Sequence, residues 1–300
     1  MQEVDISHAA TVAEAIASDF YNDRLDLSTR GRGGVAPDST WSRMPEVKSI
    51  ARLRDLGASG RTVRLFLTFI AAIDRARDAV RLWNSGVELF QSYPKLFEPA
   101  EASAMPVSTI RERLSQYGVS QRHRPDSCAW NTIAHSLAAG GNPVSRVVDS
   151  GEGHAEELLR YLRSSCGGQS RFPLLRGPKI GPMWVRMLVA PGGAKIEDIG
   201  NIPVAVDVHV CRVTKNLGLL DIQNVSVEKN RREIQEIWRA AVKTARVGGP
   251  PELRDTCAAL DPALWIFGKY GCSYCEKVAE PVPISRACEH CQLGISNPGL

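Results

Sequence analysis

Four of the eight cysteines in this 300-residue chain crowd one short segment: Cys272 and Cys275 form a C-x-x-C pair, and Cys288 and Cys291 form a second after a gap of twelve residues. In a reducing compartment such a pattern is better satisfied by four thiolates around one metal centre than by two disulfides. Read without further context, two C-x-x-C knuckles suit a tetrahedral zinc ion. Cys128, Cys166, Cys211 and Cys257 stand alone and read as small buried apolar residues with no chemistry of their own.

The remainder is ordinary globular sequence. Hydrophobic residues make up 43% of the chain and charged ones 23%, which excludes disorder as the main state. There is no run of 18 apolar residues, and the start, Met1-Gln2-Glu3-Val4-Asp5, lacks the basic flank and apolar stretch of an export signal. A cytoplasmic protein with no membrane partner is the expectation. A net charge of +4, from 37 Lys plus Arg against 33 Asp plus Glu, permits nucleic-acid binding through a local patch without requiring it.

Apolar residues recur at three- and four-residue spacing in Ile6 to Phe20, Val47 to Leu56, Val63 to Ile73, Ala76 to Phe90 and Ile110 to Tyr117. The same period runs through Cys128 to Leu137, Glu156 to Leu162, Val206 to Leu217, Ser226 to Ala245 and Pro262 to Tyr270. Gly57, Gly118 and Gly218 each follow such a stretch, where a helix end favours a residue that tolerates positive φ. The fold class predicted is all-α, built from short helices. Three loops are candidate joints: Ser28 to Pro45, which carries Arg30, Arg32 and Arg43; Ser120 to Asp126; and Ala190 to Pro203. Charges in the first of these are expected to be solvated, with grazing contact to DNA as the open alternative.

Two motifs bear on chemistry. Residues 174 to 188, Leu-Leu-Arg-Gly-Pro-Lys-Ile-Gly-Pro-Met-Trp-Val-Arg-Met-Leu, read as a Gly-bounded turn running into an apolar helix, with Pro182 at a first helical position. Ile180 would join the flanking helices. Gly181 would let backbone N–H groups approach an anion such as a DNA phosphate, with Arg176 and Lys179 adding charge. The same pattern also describes a plain helix-to-helix turn. In Val206-Asp207-Val208-His209-Val210-Cys211-Arg212-Val213, Asp207 stands at a helix N-cap. Capping alone explains it, and a carboxylate fixed in that way is also suited to stabilise an oxocarbenium ion or orient a water.

The order of these features, ending in Gly268-Lys269-Tyr270-Gly271-Cys272 and Ala287-Cys288-Glu289-His290-Cys291-Gln292-Leu293, resembles the helix-hairpin-helix (HhH-GPD) DNA glycosylase superfamily of the endonuclease III type. The resemblance runs from about Leu65 to the end; the first sixty residues match nothing nameable. It implies a six-helix domain over residues 65 to 195 and a second helical lobe from residues 1 to 64 and 196 to 300, with Asp207 at the cleft between them. By the same resemblance Asp207 is the catalytic residue. Gly177, Lys179, Ile180 and Gly181, with Arg176 beside them, grip DNA, and Cys272, Cys288 and Cys291 are ligands of a [4Fe–4S] cluster. The implied partner is double-stranded DNA with a damaged, mispaired or modified base, which a monomer of the protein flips out and excises.

Two departures refine this picture. Met183 falls where bifunctional members carry a Schiff-base lysine, so the resemblance implies a monofunctional enzyme that leaves an abasic site. No cysteine follows Cys291, so Cys275 must supply the fourth ligand; zinc remains the alternative to the cluster, and either would act as a structural staple. His209 reads as a hydrogen-bonding residue and Asp74 as one of a set of surface ion pairs with Arg75, Arg77 and Asp78. Tryptophans 83, 130, 184, 238 and 265 read as core, and Trp41 as a loop residue available for stacking. A non-catalytic DNA-binding or scaffolding protein, with Asp207 only a cap, is the rival reading.

Overall fold

The computed structural model describes residues 5–25, 41–75, 77–166, 168–222, 226–278 and 283–292. In chain order its main elements are α1 (Ile6–Tyr21), α2 (Pro45–Asp55), α3 (Gly60–Ala72), α4 (Ala79–Ser92), α5 (Pro99–Ala104), α6 (Val107–Gln116), α7 (His123–Ala138) and α8 (Pro143–Ser150). They continue as β1 (Glu152–His154), α9 (Ala155–Arg163), β2 (Ser165–Cys166), β3 (Gln169–Ser170), α10 (Ile180–Val189), β4 (Lys195–Glu197), α11 (Val208–Asn216), α12 (Val227–Ala241) and α13 (Cys257–Ile266). The protein is mostly helical. Strand is confined, among the described residues, to a parallel pair β1–β4 and an antiparallel pair β2–β3, each two or three residues long and outside the reach of a periodicity argument. Arg30 and Arg32 lie outside the described residues.

The helices start and stop for local reasons. Asp5, Ser59, Asp78, Asn142 and Thr256 each cap the helix that follows by accepting a backbone N–H with the side chain. Gly57, Gly118 and Gly218 have φ of +80°, +66° and +71°, as expected of helix ends. Two short helices escaped the periodicity: α5 starts on Pro99, and α8 starts on Pro143 after the Asn142 cap. The Ser120–Asp126 segment is not a joint. Buried Asp126 accepts from Ser120 Oγ at 2.9 Å, the Gln121 amide at 3.2 Å and the Arg122 amide at 3.0 Å, which folds the loop onto the start of α7.

The chain divides into two compact units, one of residues 45–199 and one of residues 1–44 with 200–300. The boundary thus falls at Pro45 rather than near residue 65. The cause is α2, which packs on α4 and carries Glu46 into a buried ion pair with Arg186 of α10, 2.9 Å apart. In this unit Phe69 stacks on Trp130 at 4.6 Å and Phe66 on Phe97 at 5.4 Å. The buried indole N–H groups find acceptors, Trp130 at the Leu96 carbonyl (2.9 Å) and Trp184 at Thr68 Oγ1 (3.1 Å), as buried indoles must.

In the other unit α1 lays Val12, Ala13, Ile16 and Phe20 against α12 and α13. Trp238 of α12 is fully buried and donates to Thr214 Oγ1 of α11 at 3.0 Å.

Glu46→Ala should leave the Arg186 guanidinium buried without its carboxylate and lower unfolding stability by about 3–5 kcal/mol, measured by urea denaturation. A loss no larger than that of an exposed pair would show that water or another acceptor reaches Arg186.

Candidate functional site

The hairpin belongs to the unit of residues 45–199. The connection from α9 to α10 is longer than a tight turn, since it contains the β2–β3 pair before the turn that ends at Lys179. Helix α10 begins at Ile180, so Pro182 is its third residue rather than its first, still within the turn whose N–H groups have no intrahelical acceptor. Gly181 packs on α9: a Cβ there would stand 3.2 Å from Leu159 Cδ2 and 3.2 Å from the Leu175 carbonyl oxygen. Its N–H donates to the Gly177 carbonyl at 2.9 Å. Ile180 is buried, Lys179 and Met183 are half-buried, and Arg176 is exposed. The helix start thus presents Lys179 and Arg176 with no acidic residue in its first turn, an arrangement able to hold an anion.

Asp74 of the same unit differs from its reading as a surface ion pair. It follows α3 and accepts the Trp83 indole N–H at 3.1 Å. Burial raises its carboxyl above the usual carboxylate range, while the Trp83 bond and the charge of Lys179 pull it down. Arg75 instead faces Asp126, at 3.6 Å, and Asp78 caps α4.

Asp207 and the cysteines belong to the unit of residues 1–44 and 200–300. Asp207 is half-buried at the N-cap of α11, and its Oδ1 accepts the His209 amide at 2.8 Å and the Val210 amide at 3.2 Å. These bonds satisfy two of the helix's orphan donors and hold the carboxylate at the positive end of the helix dipole. One turn on, Arg212 bonds His209 Nδ1 at 3.2 Å, the kind of role expected of His209.

Helix α13 does not simply end. It continues as a π-helical segment, Phe267–Cys272, that packs against α11. Gly268 permits the contact, because a Cβ there would collide with the His209 carbonyl oxygen. The wider turn delivers Cys272 and Cys275 to one side. After residue 282 the chain returns, and a 3-10 turn, Arg286–His290, brings Cys288 and Cys291 to the same place. All four line one small cavity with Asn216, Leu217, Phe267, Gly271 and Ile284. Among the described residues no three of these side chains stand in the geometry that holds a single ion. Burial pushes the Cys272 and Cys288 thiols up, and the neighbouring sulfurs of Cys275 and Cys291 raise both further. The cavity gathers four sulfur atoms against an apolar wall, the donor set that a four-thiolate centre, whether [4Fe–4S] cluster or zinc, would use.

The cysteine segment is bonded to α11 at several points. Glu276, next to Cys275, accepts from Arg212 Nε at 2.7 Å and from Asn216 Nδ2 at 3.1 Å. The Gln292 amide, next to Cys291, donates to the Asn216 carbonyl at 2.7 Å. Asp19 of α1 holds the intervening turn through Ser285 Oγ, at 2.7 Å, and the Arg286 amide, at 3.1 Å. The helix that Asp207 caps is therefore also the wall against which the cysteines close.

Trp265 departs from its core reading. It is only half-buried, with Lys269 Nζ 4.4 Å from its ring centre and His209 edge-on at 6.1 Å; Lys269 also lies 5.0 Å from the Tyr270 ring. The four-residue step from Trp265 to Lys269 was the sequence signal for this pair. Trp83, Trp130, Trp184 and Trp238 are fully buried, as read. Of the lone cysteines, Cys211 and Cys257 are buried, with thiols pushed up by burial to about 11 and about 12, whereas Cys128 is exposed on α7. No helix among the described residues is long and apolar enough to cross a membrane.

Replacing Cys272, Cys275, Cys288 or Cys291 with Ser should reduce soluble protein sharply, because ligand binding and folding are coupled. Brown protein with broad absorption near about 400 nm would identify the iron–sulfur form, and colourless protein with one zinc per chain the other. At Asp74 the folded state holds a proton more tightly than the unfolded one, so stability falls as pH rises through the carboxylate range. Asp74→Asn, which keeps the Trp83 bond, should stabilise the protein at pH 7, with the gain fading once pH drops below the ordinary carboxylate range. A gain independent of pH would contradict this.

The chain matches no protein-family model and no curated protein sequence.

Proposed function

We propose that the protein is a monofunctional DNA glycosylase: a hydrolase that binds duplex DNA, takes up a flipped-out damaged, mispaired or modified base, and releases it by cleaving the N-glycosidic bond. The observation that carries this reading is the Asp207 carboxylate, fixed by two backbone N–H groups at the start of a helix that is itself bonded to the four-cysteine segment. A charge held in place before the reaction costs no reorganisation when a cation develops near it.

In the proposed reaction the C1′–N bond breaks and its electron pair leaves with the base. Asp207 stabilises the sugar cation and orients a water, whose oxygen bonds to C1′. The proton that the water gives up passes to the carboxylate and on to the departing base or to solvent. The half-buried thioether of Met183 cannot form a Schiff base, so the strand stays intact and an abasic site is the product. Lys179, Arg176 and the backbone around Gly177, Ile180 and Gly181 would hold phosphates and sustain the cost of unstacking the base. Cys272, Cys275, Cys288 and Cys291 would hold the cluster, or zinc, which supplies a staple for the segment behind α11 and no redox step.

The cap bonds also favour a second reading, in which Asp207 only ends a helix and the protein binds DNA without turnover. Incubation with duplexes carrying a panel of lesions and modified bases, followed by hot alkali, separates the two. Native protein should yield alkali-labile sites on one class of base. Asp207→Asn, which keeps an acceptor for the cap, should bind the same duplex yet lose excision by about a hundred-fold or more. Borohydride should trap no covalent adduct. Full excision by the variant would leave Asp207 as a cap alone, and a trapped adduct would mean that an amine, with Lys179 the first candidate, attacks the sugar.

A further inference from the structure

The unit of residues 1–44 and 200–300 carries an open groove of about 980 Å³ that shares no residue with Asp207 or the cysteines. It lies between the end of α1, the turn Trp41–Arg43 and the loop that follows α12. One wall is aromatic and braced. The Tyr21 hydroxyl donates to the Ala259 carbonyl at 2.7 Å, and the Trp41 ring centre stands 6.2 Å from that of Tyr21. Gly249, at φ +121°, lies so close beneath the Tyr21 ring that a Cβ would reach its Cζ at 2.8 Å. The other wall is cationic and equally built. The Val247 amide donates to Asp255 Oδ1 at 2.8 Å, and the Asp255 amide returns a bond to the Val247 carbonyl at 3.0 Å. This reciprocal pair closes the loop and fixes the two residues just outside and inside it, Arg246 and Arg254. Both are exposed, and among the described residues neither guanidinium has an ion-pair partner. Exposed Arg43 adds a third positive charge beside Trp41, against the carboxylates of Glu14 and Asp23.

We propose that this groove binds an unpaired stretch of nucleic acid, with a base against Trp41 and Tyr21 and its phosphates on Arg43, Arg246 and Arg254. Stacking on an aromatic face combined with arginine contact to the backbone is the chemistry that single strands use, and it tolerates any base sequence. An acidic peptide would use the arginines and leave the paired rings without a role. The groove is a second nucleic-acid surface, independent of base excision.

The test is fluorescence anisotropy of a labelled twelve-residue oligo(dT) with the full-length protein across a range of salt. Arg246→Ala with Arg254→Ala should weaken binding roughly ten-fold and flatten the log–log salt slope by about 1.4, two phosphates at about 0.7 each. Trp41→Ala should weaken binding roughly ten-fold at an unchanged slope, with Trp41→Phe restoring most of it. Affinity for a blunt duplex of the same length should stay within about two-fold. Since no excision is read, these outcomes stand or fall apart from the role of Asp207. Wild-type oligo(dT) binding by both variants would overturn the proposal. So would an equal loss on duplex, which would make the arginines a general electrostatic surface, or capture of a labelled oligoglutamate through the arginines while oligo(dT) binding is unmoved.

Discussion

Helix α11 is the element on which the rest of its unit depends. At its first turn two amides hold the Asp207 carboxylate. From its middle and last turns Arg212 and Asn216 reach Glu276, and the Asn216 carbonyl takes the amide of Gln292. Its buried face sits on Trp238 of α12 through Thr214, and its backbone at His209 lies against Gly268. A nine-residue helix has little stability of its own, so these tertiary contacts, not propensity, keep it formed. Whatever holds the cysteine segment together therefore also holds the Asp207 carboxylate in place.

The pattern of side chains supplied much of this architecture because burial imposes it. Helices with a single apolar face, such as α1 and α4, declared themselves through three- and four-residue spacing, and Gly57, Gly118 and Gly218 marked the ends of α2, α6 and α11 to within a few residues. Helices α5 and α8 did not, since six or eight residues give too few turns for a period to register. The unit boundaries fall inside two of the candidate joints, Ser28–Pro45 and Ala190–Pro203, while the resemblance put the first near residue 65. What holds α2 in its unit is not written in its spacing: only the fold reveals that Glu46 is buried with Arg186 as its partner.

At the candidate site the residues readable in advance were those whose chemistry is local. Asp207 follows from the capping rule, and the cysteines from spacing alone; their convergence on one cavity agrees with that spacing. The Trp265–Lys269 pair is local, whereas Glu276 matters through Arg212 and Asn216, distant in sequence, and Asp74 trades an expected surface role for a bond to Trp83 and an environment that favours its proton. The π-helical segment that ends at Cys272 could not be foreseen: its glycines signal a close approach without saying what approaches.

The claim most open to direct measurement is that the cysteine segment positions Asp207. Amide hydrogen exchange at His209 and Val210, the two donors of the cap, reports on it before and after the proposed metal centre is stripped with a chelator at neutral pH. Protection at both amides should fall together with that of Gln292, while the buried amides of α3 in the other unit keep theirs. Unchanged protection at His209 and Val210, with exchange accelerated only within residues 272–278 and 283–292, would contradict the account and leave Asp207 independent of the cysteines.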